Sequence, residues 1–273
     1  MKEFSATPQE MVASVWRNRD LIAQLTKREA VGRYRGSVLG LAWSFFNPLL
    51  MLAVYTFVFS VVFKSRWGVS PDESRVDFAL ILFAGLLAHG LFSEGIGRAP
   101  AAIVSNANYV KKVIFPLEIL PFVLIASALF HAVVGVTVLL ITQLLLAQHI
   151  PLTFALLPLV WLPLVMGTLG VSWFLASLGV YLRDVSQVTG MFSTIMLFVS
   201  GIFFPISALP VPLQAWLRFN PLAVVVEQTR EVLIFGTLPD YSTWLMMMGL
   251  GMLFAWAGFA LFQRMRKGFA DVL

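Results

Sequence analysis

The feature that most constrains this chain is a series of apolar runs, each long enough to cross a lipid bilayer. We predict a transmembrane helix for each of six runs: Val38–Phe63, Phe78–Ile96, Ile119–Ala147, Phe154–Leu182, Val188–Phe204 and Trp244–Phe262. Such a helix needs about 20 apolar residues. Only 12% of the 273 residues are charged, whereas soluble domains carry about 25%. The sequence therefore excludes an ordinary soluble globular protein and predicts an all-α integral membrane protein.

The basic residues predict the orientation of the six helices. Lys and Arg concentrate on the cytoplasmic side of short loops. The side that carries both termini holds 14 of the 19 basic residues, and the opposite side holds the other five. We therefore expect both termini in the cytoplasm. The net charge of +5 then reports orientation and does not indicate a nucleic-acid partner.

The segment Phe4–Thr26, before the first span, has the spacing of an amphipathic helix. Its apolar positions are Met11, Val12, Val15, Trp16 and Ile22. They alternate with charged and polar residues in a pattern typical of a helix that lies in the plane of the membrane interface. The alternative is a loosely ordered tail.

The segment between the fifth and sixth spans is too polar to span and too apolar for a plain loop. Asn220 and Pro221 predict an N-cap and a first helical residue, and Gly236 predicts the C-terminal stop. The helix Pro221–Phe235 would be about 22 Å long, shorter than a hydrocarbon core of about 30 Å. Together with Pro212–Phe219 it predicts a hairpin that either re-enters the outer leaflet or rests on the outer surface.

The predicted elements form one membrane domain over residues 1–273. No fixed-period repeat or low-complexity tract interrupts the apolar pattern. We divide the domain into an interface helix and linker (1–37), helices 1–5 (38–204), the outer hairpin (205–243), and helix 6 with a cytoplasmic tail (244–273).

The sequence lacks the motifs of the common enzyme classes. It contains no cysteine, no GxxxxGK[ST] phosphate loop, no HExxH and no GxSxG. His89, Glu94 and His131 are the ionisable candidates inside the predicted spans. They could form a proton relay, or the histidines could bond helix to helix while Glu94 lies near the cytoplasmic end. We expect no catalytic site, no metal site and no cofactor in this chain.

Five blocks of this sequence occur in the same order in a known family. They are LTKREAVGRYRGSVLGLAWSFFNPLLMLAVYTFVFSVVF from Leu25, NANYVKKVIFPLEILP from Asn106, YLRDVSQV from Tyr181, FNPLAVVVEQTREVLIFG from Phe219 and RKGFADVL from Arg266. They cover nearly the whole chain. Together they resemble the permease subunits of ABC-2 type polysaccharide exporters, most closely the O-antigen branch.

The resemblance implies ATP-driven export of undecaprenyl-diphosphate-linked O-antigen polysaccharide across the bacterial inner membrane. It implies a homodimer of this chain with two nucleotide-binding ATPase subunits, which would hold the ATP and Mg. The missing phosphate loop agrees with that division of labour. Capsular polysaccharide or teichoic acid export is an alternative within the resemblance. A membrane glycosyltransferase and a secondary transporter are alternatives from other classes.

The resemblance also implies roles for residues near the cytoplasmic surface. Capture of the lipid diphosphate is expected at Arg33, Tyr34 and Arg35, because the arginine fork suits phosphate oxygens; membrane anchoring is the alternative. Coupling to the ATPase is expected at Tyr109, Lys111, Lys112, Arg183 and Asp184. The alternatives there are ordinary loop charges and an ion pair within the turn.

Two further groups of residues are expected along the transport path. The resemblance implies a periplasmic gate at Asn220, Pro221, Glu227, Arg230 and Glu231, with surface salt bridges as the alternative. Sugar rings stack on aromatic side chains, much as bases do. We therefore expect a channel lined by Tyr55, Phe59, Phe63, Phe192 and Phe203, with lipid-facing or packing roles as the alternative.

Overall fold

The computed structural model describes residues 5–40, 42–62, 67, 75–111, 115–146 and 148–273, with the backbone alone at 60–62 and 75. Twelve α-helices make up most of this described part, which contains no β-strand. They are α1 (Pro8–Arg17), α2 (Arg19–Gly32), α3 (Ala42–Tyr55), α4 (Arg75–Arg98), α5 (Ala107–Val110), α6 (Ile119–Leu146), α7 (Leu157–Tyr181), α8 (Val185–Val199), α9 (Val211–Arg218), α10 (Pro221–Arg230), α11 (Tyr241–Met265) and α12 (Phe269–Val272). A π-helical turn extends α3 over Thr56–Val62 and α10 over Glu231–Phe235.

Five stretches of the described chain are long and apolar enough to cross a membrane. They are Ala42–Phe59, Val76–Ala101, Ile119–Leu146, Leu152–Tyr181 and Tyr241–Val272, which match five of the six predicted spans. The remaining span, predicted at Val188–Phe204, is α8, whose 15 residues give a helix about 22 Å long. The prediction of an all-α membrane protein is confirmed, and the count of six crossings stays a prediction.

Helix α4 lies at the centre of the packing. Its side chains Phe83, Leu87 and Leu91 are buried in a cluster with residues of α6, α7 and α10. Helices α3 and α8 instead lie at the periphery, where apolar side chains such as Leu50 and Val188 are more than half exposed. The bundle therefore has a tightly packed interior and two apolar outer faces.

Helices α7 and α11 approach so closely that their backbones touch. A Cβ atom at Gly258 would collide with the backbone of Gly170, and one at Gly170 would collide with Phe254 and Ala255. Small residues are common at such crossings in membranes, because lipid supplies no hydrophobic force between helices and packing has to replace it. The two glycines therefore fix the distance between these spans.

The predicted interface helix is two helices instead of one. The chain breaks at Asn18, whose side-chain amide donates to the Ser14 carbonyl at 2.7 Å. The break separates the apolar residues that were predicted on one face: Val12 and Trp16 are exposed, while Ile22 is buried against α6. The helical prediction is confirmed for the described residues, and the single uninterrupted helix is wrong. Phe4, its predicted start, lies outside the described residues.

The hairpin α9–α10 follows the predicted boundaries. The Asn220 side chain accepts a hydrogen bond from the Leu222 N–H at 3.0 Å, and Gly236 ends the helical region with a φ of +69°, the left-handed backbone that favours glycine. Helix α10 is embedded against α4 and α7, with Val226 fully buried, while α9 is mostly exposed. Helix α10 is thus part of the packed bundle, and both alternatives for the hairpin, re-entry into the outer leaflet and rest on the outer surface, stay predictions.

We predict that Gly258→Ala lowers the Tm of the purified protein in detergent. The added methyl group meets the α7 backbone, and overpacking of this kind costs about 1–3 kcal/mol. The matched control is Gly249→Ala on the same helix, where nothing lies within 4 Å of a Cβ. A thermal unfolding scan measures both variants. Equal effects would contradict the role assigned to the glycine contact.

Candidate functional site

Charged side chains gather at two ends of the bundle, which α4 connects. We call the basic end the one that carries α1, α2 and α12, with Arg28, Arg33, Arg98 and Arg266. We call the hairpin end the one that carries α9 and α10, with Glu227, Glu231 and Asp240. Helix α4 reaches both, since the Ile81 carbonyl contacts Arg230 of α10 and Arg98 pairs with Glu29 of α2.

Glu94 of α4 is the centre of an ion-pair cluster at the basic end. It pairs with Arg33, which follows α2, and with Arg98 at 3.2 Å. His131 of α6 places its Nδ1 atom 3.3 Å from the same carboxylate. Arg98 also pairs with Glu29 of α2. We call this set the Glu94 cluster; it joins α2, the residue that follows α2, α4 and α6.

The histidines of the predicted spans connect helices. His89 Nε2 of α4 lies 3.1 Å from the Ser193 carbonyl of α8, and His131 reaches Glu94 as described. The sequence left two alternatives for these residues, a proton relay or hydrogen bonds between helices. The structure contains the contacts between helices, and the proton relay stays untested. Glu94 lies at the basic end, and its predicted position near the cytoplasm stays a prediction.

The three residues predicted to capture the lipid diphosphate differ in availability. Arg33 is engaged with Glu94. The half-buried Tyr34 ring meets His131 edge-on at 5.9 Å. Arg35 is exposed and forms no ion pair with the described residues. The geometry leaves Arg35 as the accessible donor and makes Arg33 available only if it leaves Glu94.

Tyr109 brings the predicted coupling segment into contact with α2. It lies on α5, and its hydroxyl accepts a hydrogen bond from Arg28 at 3.0 Å. Its ring stacks on Phe115 with centroids 4.2 Å apart. Lys111 is exposed, and Lys112 lies outside the described residues.

Arg183 and Asp184 form the exposed turn between α7 and α8. No ion pair joins them in the described part of the chain; instead the Ser186 hydroxyl donates to the Arg183 carbonyl at 3.0 Å. The next residue, Val185, packs in one cluster with Ala99. The turn therefore lies at the basic end, as α5 does.

Sequence reasoning missed a second cluster of polar contacts at the basic end, centred on Glu118. Its carboxylate accepts hydrogen bonds from Ser14 of α1 at 2.9 Å and from Arg266, just beyond α11, at 2.6 Å. Arg266 also donates to the Phe115 carbonyl at 2.9 Å, and Trp173 donates to the Glu118 carbonyl at 2.8 Å. A single carboxylate between two apolar runs was the signal that could have revealed it. These contacts connect α1 and the residue after α11 to the start of α6.

The predicted aromatic residues divide into two places. Phe59 lies 6.5 Å from Tyr55 and stacks on Phe203 at 5.6 Å, so the two predicted faces do meet at the hairpin end. Phe192 instead packs against Phe92 of α4 at 6.3 Å. Phe63 lies outside the described residues. Lining of a channel by these residues stays a prediction.

Arg230 was predicted as part of the outer gate, where it could form an ion pair. In the structure it is fully buried and contacts several segments of the hairpin end. Its guanidinium donates to three main-chain carbonyls: Ile81 of α4 at 3.1 Å, Gly201 at 2.9 Å and Ile202 at 2.7 Å. The last two follow the end of α8. One side chain therefore holds α4, α8 and α10 together.

Further contacts complete the surroundings of Arg230. Its guanidinium carbon lies 4.3 Å from the centre of the Trp67 ring, and one nitrogen lies 3.4 Å from Glu227. Gly85 of α4 makes room for it, since a Cβ there would come within 2.8 Å of the guanidinium. A surface salt bridge was the alternative considered for this region; the Glu227 pair exists, but Arg230 itself is 0% exposed.

The acidic side chains of the hairpin end line an open cavity of about 570 Å³ between α9, α10 and the start of α11. Asp240 caps α11, and hydrogen bonds from Thr243 and Ser242 lower its pKa to about 2. Burial, and then the charges of Glu227 and Asp240, raise the pKa of Glu231. Glu231 also has a buried carboxylate oxygen without a hydrogen-bond partner in the described part of the chain. No group of three metal-ligating side chains forms among the described residues.

We predict that Arg230→Lys lowers the free energy of unfolding by about 3 kcal/mol. A lysine keeps the charge but cannot present the planar fork that meets three carbonyls, and partners left unpaired in a buried site are costly. Arg218→Lys, at an exposed position of α9, is the control with the same exchange. Denaturant unfolding measures both. Unchanged stability of Arg230→Lys would show that the fork is not needed.

We predict that Glu231→Gln raises the Tm at pH 7 and has little effect near pH 4. The pKa of Glu231 is raised in the folded state, whereas in the unfolded chain it is about 4.3. At pH values between these two pKa values, the native protein binds more protons than the unfolded chain. The stability of the wild-type protein therefore falls as the pH rises from the unfolded pKa through the folded pKa. Glu227→Gln removes the carboxylate beside Arg230 and is expected to lower the Tm at pH 7. Scans across pH 4–7 test both signs, and a lower Tm for Glu231→Gln at pH 7 would contradict the first.

Comparison with known proteins gives several relatives over most of the chain. RfbA of Myxococcus xanthus, an O-antigen export system permease protein, is 27% identical over 263 residues, which cover 96% of this chain and 98% of that protein. RfbA of Klebsiella pneumoniae, of the same description, is 24% identical over 93% of this chain and 95% of its own length. KpsM of Escherichia coli, a polysialic acid transport protein, is 26% identical over 78% of this chain and 80% of its own length.

A family profile also matches the chain. The family is described as ABC-2 type transporter, and the match covers residues 20–234. These residues run from α2 to the π-helical turn after α10, so that they include the Glu94 cluster, α5 and Arg230. This match, together with the relatives that cover up to 96% of the chain, confirms the resemblance to the family. This chain therefore belongs to the ABC-2 type transporter family and is a multi-pass membrane transport protein.

Proposed function

We propose that this chain is the membrane-spanning permease subunit of an ATP-driven exporter that moves lipid-linked O-antigen polysaccharide from the cytoplasm to the periplasm. The observation that carries the proposal is the similarity to O-antigen export permeases over nearly the full length of both chains. In this proposal ATP and Mg are bound by two separate ATPase subunits, and this chain supplies the path through the membrane.

Six crossings with both termini in the cytoplasm fit the contacts. Helix α8 begins beside Ala99 at the basic end, and the residues after it reach Arg230 at the hairpin end. It therefore runs along the bundle over the same length as α4 between Ile81 and Arg98. Helices α1 and α12, the first and last helices of the described chain, lie at the basic end, where Arg28, Arg33, Arg98 and Arg266 concentrate, and basic residues favour the cytoplasmic side.

A chain of contacts leads from the proposed ATPase surface into the membrane domain. The surface would comprise Tyr109 and Lys111 of the α5 segment together with the Arg183–Asp184 turn. Tyr109 bonds Arg28 of α2, and Glu29, the next residue, pairs with Arg98 of α4. Movement of α5 would therefore be transmitted to α2 and from there to the Glu94 cluster.

The diphosphate of the lipid carrier would bind first at Arg35. Arg33 would then exchange the Glu94 carboxylate for phosphate oxygens, which is an exchange of one charge-assisted hydrogen bond for another. Because Glu94 also holds Arg98 and His131, this exchange would alter the contacts among α2, α4 and α6. Capture of the carrier would in this way be connected to the ATPase surface.

A second copy of this chain would complete the path for the polysaccharide. The exposed apolar faces of α3 and α8 supply the surfaces for it. The aromatic side chains Tyr55, Phe59 and Phe203 lie beside Trp67 at the hairpin end, where they would contact sugar rings. The gate would be the hairpin from Asn220 onward, whose first residue bonds the Val199 carbonyl of α8 at 3.1 Å.

Capsular polysaccharide export is the second candidate, favoured by the similarity to KpsM. The two candidates share the ATPase, the orientation and the path, and they differ in the glycan and its carrier. Complementation of strains that lack either an O-antigen or a capsule permease distinguishes them.

We predict that Tyr109→Ala reduces export of O-antigen by about tenfold in a strain that lacks its own permease and expresses this chain with its ATPase. The loss removes a hydrogen bond from a charged group, which is worth about 1.5–3 kcal/mol, and removes the stack on Phe115. Tyr241→Ala, at an exposed tyrosine of the hairpin end, is the matched control. Surface O-antigen and copurification of the ATPase are measured.

One result would contradict the proposed function, and another would contradict the role of α5 alone. Export by wild-type chain without any ATPase subunit would exclude an ATP-driven permease. Equal loss in Tyr109→Ala and Tyr241→Ala, with copurification unchanged, would remove α5 from the ATPase surface while leaving the transport function in place.

A further inference from the structure

A groove of about 680 Å³ lies between α2 and α6 at the basic end. Its floor is apolar and consists of Ile22, Ala30, Phe122, Ala126 and Phe130. The α6 residues recur every four positions and the α2 residues follow a helical stripe, so each helix contributes one continuous face. The groove lies on the other side of α2 from the contacts with Arg98 and Tyr109 and belongs to none of the sites above.

The elements around the groove present apolar side chains outward. Val12 and Trp16 of α1 are 64% and 72% exposed, and Phe130, in the floor of the groove, is 39% exposed. Exposed apolar residues on short amphipathic helices of this kind insert at the boundary between headgroups and acyl chains. The mouth of the groove therefore lies where lipid molecules are present.

The rim of the groove is cationic. Lys27 and Arg19 line it, both are exposed, and neither forms an ion pair with the described residues. The Arg19 guanidinium lies 5.2 Å over the Trp16 ring, which places it beside an aromatic residue of the type that marks the headgroup level. Lys27 is two turns further along α2.

We propose that this groove binds an anionic phospholipid, with an acyl chain on the apolar floor and the headgroup phosphate at Lys27. A peptide segment would bring a series of N–H and C=O groups onto an apolar floor, where the Thr26 hydroxyl is the one side-chain group of the described lining, apart from the cationic rim, that could pair with them. A zwitterionic phospholipid would bring its ammonium group toward the cationic rim. The charge and the apolar floor together fit one occupant, a lipid with a net negative headgroup.

Such a lipid would act on the geometry of α2. The same helix carries Arg28, which bonds Tyr109, and Glu29, which pairs with Arg98. A lipid that bridges α2 and α6 would fix the position of α2 and so stabilise these two contacts. The proposal concerns lipid binding alone and does not depend on which substrate is transported.

The absence of cysteine from the chain provides a clean test. Ala23→Cys places a single label at the exposed edge of the groove, and Ala13→Cys places one on an exposed alanine of α1 outside the groove. Fluorescence of the label is quenched by doxyl-phosphatidylglycerol or by doxyl-phosphatidylcholine in mixed vesicles. We expect a preference for phosphatidylglycerol of about fivefold per cation at Ala23, the equivalent of about 1 kcal/mol, and a smaller one at Ala13.

Substitutions separate specific binding from general attraction to a charged surface. Lys27→Gln with Arg19→Gln is expected to abolish the preference at Ala23. Arg17→Gln, at an exposed arginine paired with Glu10 on α1, is expected to keep it. Equal preference at both label sites, or equal loss with Arg17→Gln, would overturn the proposal in favour of bulk electrostatics.

A second measurement uses the unlabelled protein. Phosphatidylglycerol is expected to raise the Tm in detergent more than phosphatidylcholine does, and Ala126→Phe, which fills the floor of the groove, is expected to cancel that difference. Each variant is compared with itself in the two lipids. An effect of the substitution on folding alone therefore does not change the difference in Tm between the lipids. A lipid difference that persists in Ala126→Phe would exclude the groove as the site.

Discussion

Hydrocarbon offers no hydrogen bonds, and this constraint explains the surroundings of two charged side chains in the described part of this protein, Arg230 and Glu94. A buried charge must find its partners within the chain. Arg230 finds them in three main-chain carbonyls, a carboxylate and an aromatic ring. Glu94 finds them in Arg33, Arg98 and His131. Each solution draws together helices that are distant in the sequence.

The same constraint explains why the two ends of the bundle differ. At the basic end the partners are side chains with opposite charges, and these can exchange for the charges of a ligand or a partner protein. At the hairpin end the main partners of Arg230 are carbonyl groups of the backbone, which cannot move away without a change in the path of the chain. The basic end is therefore suited to recognition, and the hairpin end is suited to holding helices in place.

Much of the fold could be predicted from the sequence, because hydropathy and capping act locally. The apolar runs gave five of the described spans, and Asn220, Pro221 and Gly236 gave the bounds of the helical region after α9. The break at Asn18 was missed because the apolar spacing continues across it. The carbonyl partners of Arg230 and the contacts of Glu118 were missed because they lie up to about 150 positions away, and one sequence does not reveal which distant group will be near. Contacts such as Phe59 with Phe203 were within reach, since both lay on faces already identified.

The single guanidinium at the hairpin end has a consequence for how this region can move. Three segments share one side chain: α4 through Ile81, the residues after α8 through Gly201 and Ile202, and α10, which carries Arg230. Withdrawal of Arg230 frees them all in one event, and its return binds them all again. Displacement of this one side chain would therefore alter the contacts of α4, α8 and α10 together.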